Sequence, residues 1–140
     1  MSILIVDDNA TLLSKIVRSL TRANRSARGA SSLAQARQLM MEKQPSVLCL
    51  DLQLGDGNGF DLLREIRQSG SKLPVVVISG YRSVESTRRA EQLGAAVFLT
   101  KPFALSELHE WVVKLLDARP NDRGAQASEP NDPDTASNRN

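Results

Sequence analysis

The chain has few means of locking or anchoring itself. One cysteine, Cys49, occurs in 140 residues, so no internal disulfide forms and nothing in the thiol count points to an oxidising compartment. Cys49 lies within Val47-Leu48-Cys49-Leu50 and reads as a small buried hydrophobe, because a reactive thiol needs exposure and a neighbouring base. The only histidine, His109, has no metal-ligating residue at i±3 or i±4, and it reads as a surface residue. Aromatics make up 4% of the chain, which leaves the core to Leu, Ile, Val and Ala. No apolar stretch approaches the ~20 residues that span a bilayer. The apolar start, Ile3 to Val6, is cut short by Asp7-Asp8 and carries no basic flank, unlike a signal peptide. These absences point to a cytoplasmic protein without a membrane segment. Charge is nearly balanced, 18 basic against 16 acidic residues, so composition gives no case for a nucleic-acid partner, and no helix-turn-helix signature supplies one.

What is present is a regular alternation. Ile3-Leu4-Ile5-Val6, Val47-Leu48-Cys49-Leu50 and Val75-Val76-Val77-Ile78 are continuous apolar runs, the pattern of strands buried on both faces of a parallel sheet. Ser26 to Ala30 is a poor strand by composition and fits a sheet edge. Ala96 to Leu99 supplies a fifth, short strand. Between them, apolar residues recur at helical spacing: Leu12, Leu13, Ile16, Val17 and Leu20, ending near Asn24; Ser32 to Lys43, ending before Pro45; Phe60 to Arg67, ending at Gly70; Val84 to Leu93, capped by Gly94; and Leu105 to Leu116. Five strand–helix units imply an α/β three-layer sandwich with a five-stranded parallel sheet. The flavodoxin-like order 2-1-3-4-5 puts the weakest strand at the edge. Residues 1–118 form this domain. Residues 119–140, rich in Asn, Asp, Ser and Pro with no aliphatic larger than Ala, read as a disordered polar tail.

The polar residues fall at the strand ends. Asp7 and Asp8 follow strand 1, Asp51 ends strand 3, Ser79 ends strand 4 and Lys101 follows strand 5. In an open parallel sheet these ends share one edge, where ligands bind. Three converging carboxylates repel one another unless a cation joins them, and hard oxygen donors suit Mg²⁺. Asp51 is a candidate nucleophile, because carboxylates form aspartyl-phosphates. Lys101 and Ser79 are placed to hold phosphoryl oxygens by charge and hydrogen bond, which is most of what phosphoryl transfer asks of a protein.

Taken together, Ile3-Leu4-Ile5-Val6-Asp7-Asp8, Leu50-Asp51-Leu52-Gln53-Leu54 with Gly59 beyond, Val77-Ile78-Ser79-Gly80 and Phe98-Leu99-Thr100-Lys101-Pro102-Phe103 resemble the receiver domain of two-component response regulators. The resemblance implies phosphorylation of Asp51 by a histidine kinase or histidine phosphotransfer protein. It implies Mg²⁺ (with Mn²⁺ as a substitute) on Asp8, Asp51 and the backbone carbonyl of Gln53, and on Asp7 through water. Lys101 neutralises the phosphoryl group and the Lys101-Pro102 bond is cis. Ser79 and Phe98 are the switch pair, reshaping the face of helix 4, strand 5 and helix 5, where receivers of this type dimerise or meet targets. Gln53 and Tyr81 sit where the family tunes the lifetime of the phosphorylated state. On this reading the chain is not a metabolic enzyme; its chemistry is Mg²⁺-dependent self-phosphorylation from a phosphodonor and autodephosphorylation at Asp51.

Three positions depart from the family's usual pattern. Ser79 stands for Thr and Phe98 for Tyr, and Gly55 stands for Pro in a segment with three glycines, which predicts a mobile loop after Asp51. Lys15, Arg18 and Arg22, with Arg25 and Arg28 beyond, form a basic stripe, read either as a partner-docking surface or as a solvated face. Trp111 lies at the rim of the last helix's apolar stripe. The chain reads as a stand-alone receiver. Its rivals are the receiver piece of a longer regulator, an interaction module acting without phosphorylation, and a small flavodoxin-like enzyme or nucleotide binder. The last is disfavoured because Asp8-Asn9-Ala10 stands where a glycine-rich phosphate loop belongs.

Overall fold

Alternate residues of each apolar run face opposite sides of one sheet, so each run feeds two cores. Leu4, Val6, Leu48, Leu50, Val75 and Val77 pack on one side, and Ile3, Ile5, Val47, Cys49, Val76 and Ile78 on the other. The structure, a computed structural model, describes residues 1–118; the tail expected over 119–140 lies outside the described residues. The elements are β1 (Ser2–Val6), α1 (Ala10–Arg22), β2 (Ser26–Ala30), α2 (Leu33–Glu42), β3 (Val47–Asp51), β4 (Gln53–Leu54), β5 (Gly57–Asn58), α3 (Gly59–Gln68), β6 (Val75–Ser79), α4 (Val84–Gln92), β7 (Val97–Thr100) and α5 (Leu105–Asp117). The main sheet is parallel, in the order β2-β1-β3-β6-β7. This is the flavodoxin-like arrangement expected from the alternation, with the compositionally weak β2 at the edge.

Helices α2 and α3 cover the first core, with Ala90 of α4 joining them, and α1 and α5 cover the second. Four of the five helix starts have a local cause, α5 beginning after Ala104 without a side-chain cap. Asn9, Ser32, Asn58 and Ser83 accept hydrogen bonds from the first-turn amides of α1, α2, α3 and α4. Asn24 and Gly94 take positive φ after α1 and α4, the left-handed conformation that closes a helix.

Three readings change. His109 is not a plain surface residue: it is half-buried, with its Nε2 2.7 Å from Ser19 Oγ, because α1 and α5 pack side by side on one face. Arg28 does not belong to the basic stripe. Its guanidinium turns to the end of α2, donating to the carbonyls of Leu39 and Lys43, where a cation satisfies open carbonyls. The segment after Asp51 is not a bare glycine loop. It folds into the β4–β5 hairpin, with Gln53 opposite Asn58 and Leu54 opposite Gly57, and Leu54 is buried in the first core. Trp111 is partly buried against the second core, with Lys114 over its ring at 5.0 Å.

Gly59 begins α3 hard against the end of β3: a Cβ there collides with the Asp51 carbonyl oxygen and lies 3.1 Å from Leu52 Cα. Both neighbours are backbone and cannot swing aside. Gly59→Ala is therefore expected to lower the unfolding free energy by about 1–3 kcal/mol, the range for forced overpacking, in urea denaturation followed by circular dichroism.

Candidate functional site

The strand ends bring four of the predicted residues to one place. Asp7 follows β1 and donates its N–H to Ala30 of β2; Lys101 follows β7 and donates its N–H to Ser79 of β6. Backbone pairing thus fixes where each side chain leaves the sheet. The Asp7 and Asp51 side chains are then aimed by their own turns. Asp7 Oδ1 accepts from the Asn9 amide at 2.8 Å and Asp51 Oδ1 from the Gln53 amide at 2.9 Å. Each Oδ2 is left facing Lys101, whose Nζ lies 2.9 Å from Asp51 and 3.0 Å from Asp7. The Lys101–Pro102 peptide is cis.

Asp7 and Asp51 are almost wholly buried, at 0% and 2% exposure, while Asp8 is exposed. One oxygen from each of the three carboxylates lies within 4.8 Å of the others. Against three negative charges stands one ammonium. Burial pushes the Asp51 carboxyl above its usual range, and the Asp7 charge adds to this, while the Gln53 amide and Lys101 pull the other way. Burial works against the Lys101 charge, but its hydrogen bond to Asp51 and the close negative charges of Asp51 and Asp7 outweigh it and raise its pKa.

The donor set suits a hard divalent cation. Asp7 Oδ2 lies 3.0 Å from Lys101 Nζ as an ion-pair partner but out of line for a hydrogen bond, so this buried oxygen has no hydrogen-bond donor. Such an atom calls for an explanation, and a cation held by Asp8 and Asp51, reached from Asp7 through a water, would supply one. The Gln53 side chain is exposed, while its backbone sits at the mouth of the cluster through the bond to Asp51.

Ser79 is not turned toward the carboxylates. Its hydroxyl donates to the Tyr81 carbonyl at 2.8 Å and accepts from the Tyr81 amide at 3.1 Å. The Tyr81 side chain is largely exposed. Phe98 is partly buried against the first core, with the Arg82 guanidinium 5.1 Å from its ring centroid. Sequence reasoning missed two supports of this site. Asn9 caps α1 while its amide aims Asp7, which the Asp-Asp-Asn run makes readable. Asp56 bonds to amides 22 and 23 residues away, which no local pattern announces. Cys49 is buried, with its thiol pushed up to about 12 by desolvation, and takes no part in the site.

The raised Asp51 pKa has a defined sign. The folded state holds this proton more tightly than the unfolded chain, so stability falls as pH rises from the ordinary carboxylate value of 3.8 through the raised folded value. Asp51→Asn removes that step. In EDTA at neutral pH the variant is expected to melt above the wild type, with the difference closing as pH falls toward 4, as read by differential scanning calorimetry across pH.

Among the described residues no helix is long and apolar enough to cross a membrane. The model of the response regulator receiver domain matches residues 3–113. Response regulator protein PilR of Pseudomonas aeruginosa is 38% identical over 117 residues, covering 83% of this chain and 26% of that protein. The photosynthetic apparatus regulatory protein RegA of Cereibacter sphaeroides is 28% identical, covering 76% and 58%. The chain therefore spans only a part of these longer relatives. Among solved structures, the receiver domain of NtrX from Brucella abortus superposes with a TM-score of 0.77 at 29% identity, covering 84% of this chain and 99% of that one. The HemR receiver domain of Leptospira biflexa gives 0.79, also at 29% identity, covering 84% and 95%. With the family model matched over most of its length and the strand-end carboxylates and lysine in place, the chain belongs to the response regulator receiver family of two-component systems.

Proposed function

We propose that this receiver accepts a phosphoryl group on Asp51 from a histidine kinase or a histidine phosphotransfer protein. The observation that carries this reading is the Asp51 carboxylate itself. It is buried, hydrogen-bonded to Lys101, and within 4.8 Å of Asp7 and Asp8. A carboxylate oxygen of Asp51 forms the new bond to phosphorus as the phosphorus–nitrogen bond of the donor histidine, or the phosphorus–oxygen bond of acetyl phosphate, breaks. The electron pair of the broken bond leaves with the donor, as acetate from acetyl phosphate or as neutral imidazole from a phosphohistidine whose ring is protonated. Lys101, already paired with Asp51, holds the transferred group's oxygens by charge. Asp8, Asp51 and the Gln53 carbonyl would hold Mg²⁺, with Asp7 reaching it through water. When bound, the ion offsets charge on the phosphoryl oxygens, and Mn²⁺ offers the same hard acceptor.

Ser79 and Phe98 form the switch. The Ser79 hydroxyl leaves the Tyr81 backbone for a phosphoryl oxygen, and Phe98 turns further in as the β6–α4 turn moves. The face of α4, β7 and α5 then changes its partner preference, through a second copy or a protein target. The longer relatives favour a second route of output, an attached effector domain. Gln53 and Tyr81, both exposed beside the site, set how readily water reaches the acyl phosphate.

Incubation with acetyl phosphate and Mg²⁺ is expected to add about 80 Da, one HPO₃ on a nucleophilic carboxylate, to the wild type and nothing to Asp51→Asn. Intact-mass spectrometry with and without EDTA reads this, and size-exclusion of the same sample reads dimerisation. An equal adduct on Asp51→Asn rejects Asp51 as the acceptor. No adduct together with no Mg²⁺ binding favours an interaction module that works without phosphorylation.

A further inference from the structure

The β4–β5 hairpin carries Gln53, and its tip is tied to a different part of the fold. Asp56 Oδ1 accepts from the Leu33 amide at 2.9 Å and Oδ2 from the Ala34 amide at 3.2 Å. These are the first two amides of α2, and the third, that of Gln35, is taken by Ser32 at 3.1 Å. Helix α2 has no acidic residue in its own first turn, so Asp56 supplies from outside the negative charge that a helix start favours. The two bonds from Leu33 and Ala34 hold the Asp56 carboxyl below its ordinary range, so it is ionised at neutral pH.

The hairpin is shaped for this reach. Gly57 has φ +150°, a conformation that L side chains rarely adopt, and a Cβ there would lie 2.8 Å from Leu33 Cδ1, so glycine lets the hairpin turn against α2 without strain. At its base the hairpin is held by the Gln53 amide on Asp51 and by the Gly59 amide on the Leu52 carbonyl at 2.9 Å. Beside Asp56 in the two-residue tip lies Gly55, where the backbone has little intrinsic stiffness. A Cβ there meets nothing within 4 Å, and its φ lies outside the left-handed region.

We infer that Asp56 is a positioning residue for the metal site, anchoring the hairpin to α2 so that the Gln53 carbonyl stays aimed at the carboxylate cluster. This rests on the reading of that carbonyl as an Mg²⁺ ligand. The anchor does for this chain what a stiffer residue at position 55 does by itself. It also joins the site to α3, because α2 is bound there by the paired Arg37–Glu65 bridge at 2.6 and 3.0 Å.

The test uses Asp56→Asn, which keeps the shape but presents an N–H group to one of the two amides, and Asp56→Asn combined with Gly55→Ala. Mg²⁺ alone is titrated by calorimetry at 25 °C, and the rate of adduct formation from acetyl phosphate is followed against Mg²⁺ concentration. The half-saturating Mg²⁺ is expected to rise roughly tenfold in Asp56→Asn, the low end of the loss on removing an outer support of a metal ligand, with the rate at saturating Mg²⁺ unchanged. Gly55→Ala is expected to recover part of the affinity by stiffening the hairpin; Ala carries no charge, so recovery separates geometry from electrostatics. A lower melting temperature with unchanged half-saturation, or no recovery by Gly55→Ala, overturns the inference and leaves the metal reading standing. A wild type that binds no Mg²⁺ overturns both.

Discussion

Everything at the functional edge of this domain depends on one ammonium shared between two buried carboxylates. Lys101 stands 2.9 Å from Asp51 and 3.0 Å from Asp7, in surroundings that desolvate all three. Removing the Lys101 charge leaves two buried carboxylates facing each other unpaired, a mismatch that costs far more than the loss of a surface pair, whereas removing the Asp51 charge leaves a matched Lys101–Asp7 pair. The cluster is still short of positive charge, with Asp8 at its mouth and one Asp7 oxygen lacking a donor. That shortfall is the physical basis of the proposed chemistry. A site that is incomplete without a divalent cation and a phosphoryl group is one whose state they can change.

The scaffold makes this tension sustainable. Each buried aspartate is aimed by an amide two residues further on, so direction is set locally and does not depend on distant packing. The strands that carry them are fully buried and paired on both sides, except at the sheet edges. The two residues proposed to switch lie on softer ground. Ser79 is bonded to the turn it precedes, and Phe98 is only partly buried on the edge strand β7. The residues proposed to hold the phosphoryl group and those proposed to switch thus sit differently in the sheet, the aspartates at the ends of inner strands and Phe98 on an edge strand.

The sequence made the fold readable because its signals were local: apolar runs of four, helix-capping side chains, and glycine or asparagine after helices. The carboxylates and the lysine were readable because parallel strands send their ends to one edge whatever the loops do. What escaped were contacts between residues far apart in the chain. Arg28 looked like part of a basic stripe until its partners, 11 and 15 residues on, came into place. His109 looked like surface because Ser19 is 90 residues away. The hairpin after Asp51 looked like loose glycines because its anchor lies on α2. Strand and helix ends moved by a residue or so, as at β7, which runs Val97–Thr100 where 96–99 was expected.

The most direct measurement is the chemical identity and place of the transferred phosphate. After reaction with acetyl phosphate and Mg²⁺, the protein is digested, and the labelled peptide is sequenced by mass spectrometry with and without hydroxylamine, which cleaves acyl phosphates but spares phosphoesters. The account predicts label on the peptide containing Asp51 alone, lost in hydroxylamine and absent when EDTA is added first. Label that survives hydroxylamine, sits on Ser79 or another residue, or forms equally without Mg²⁺ would contradict it.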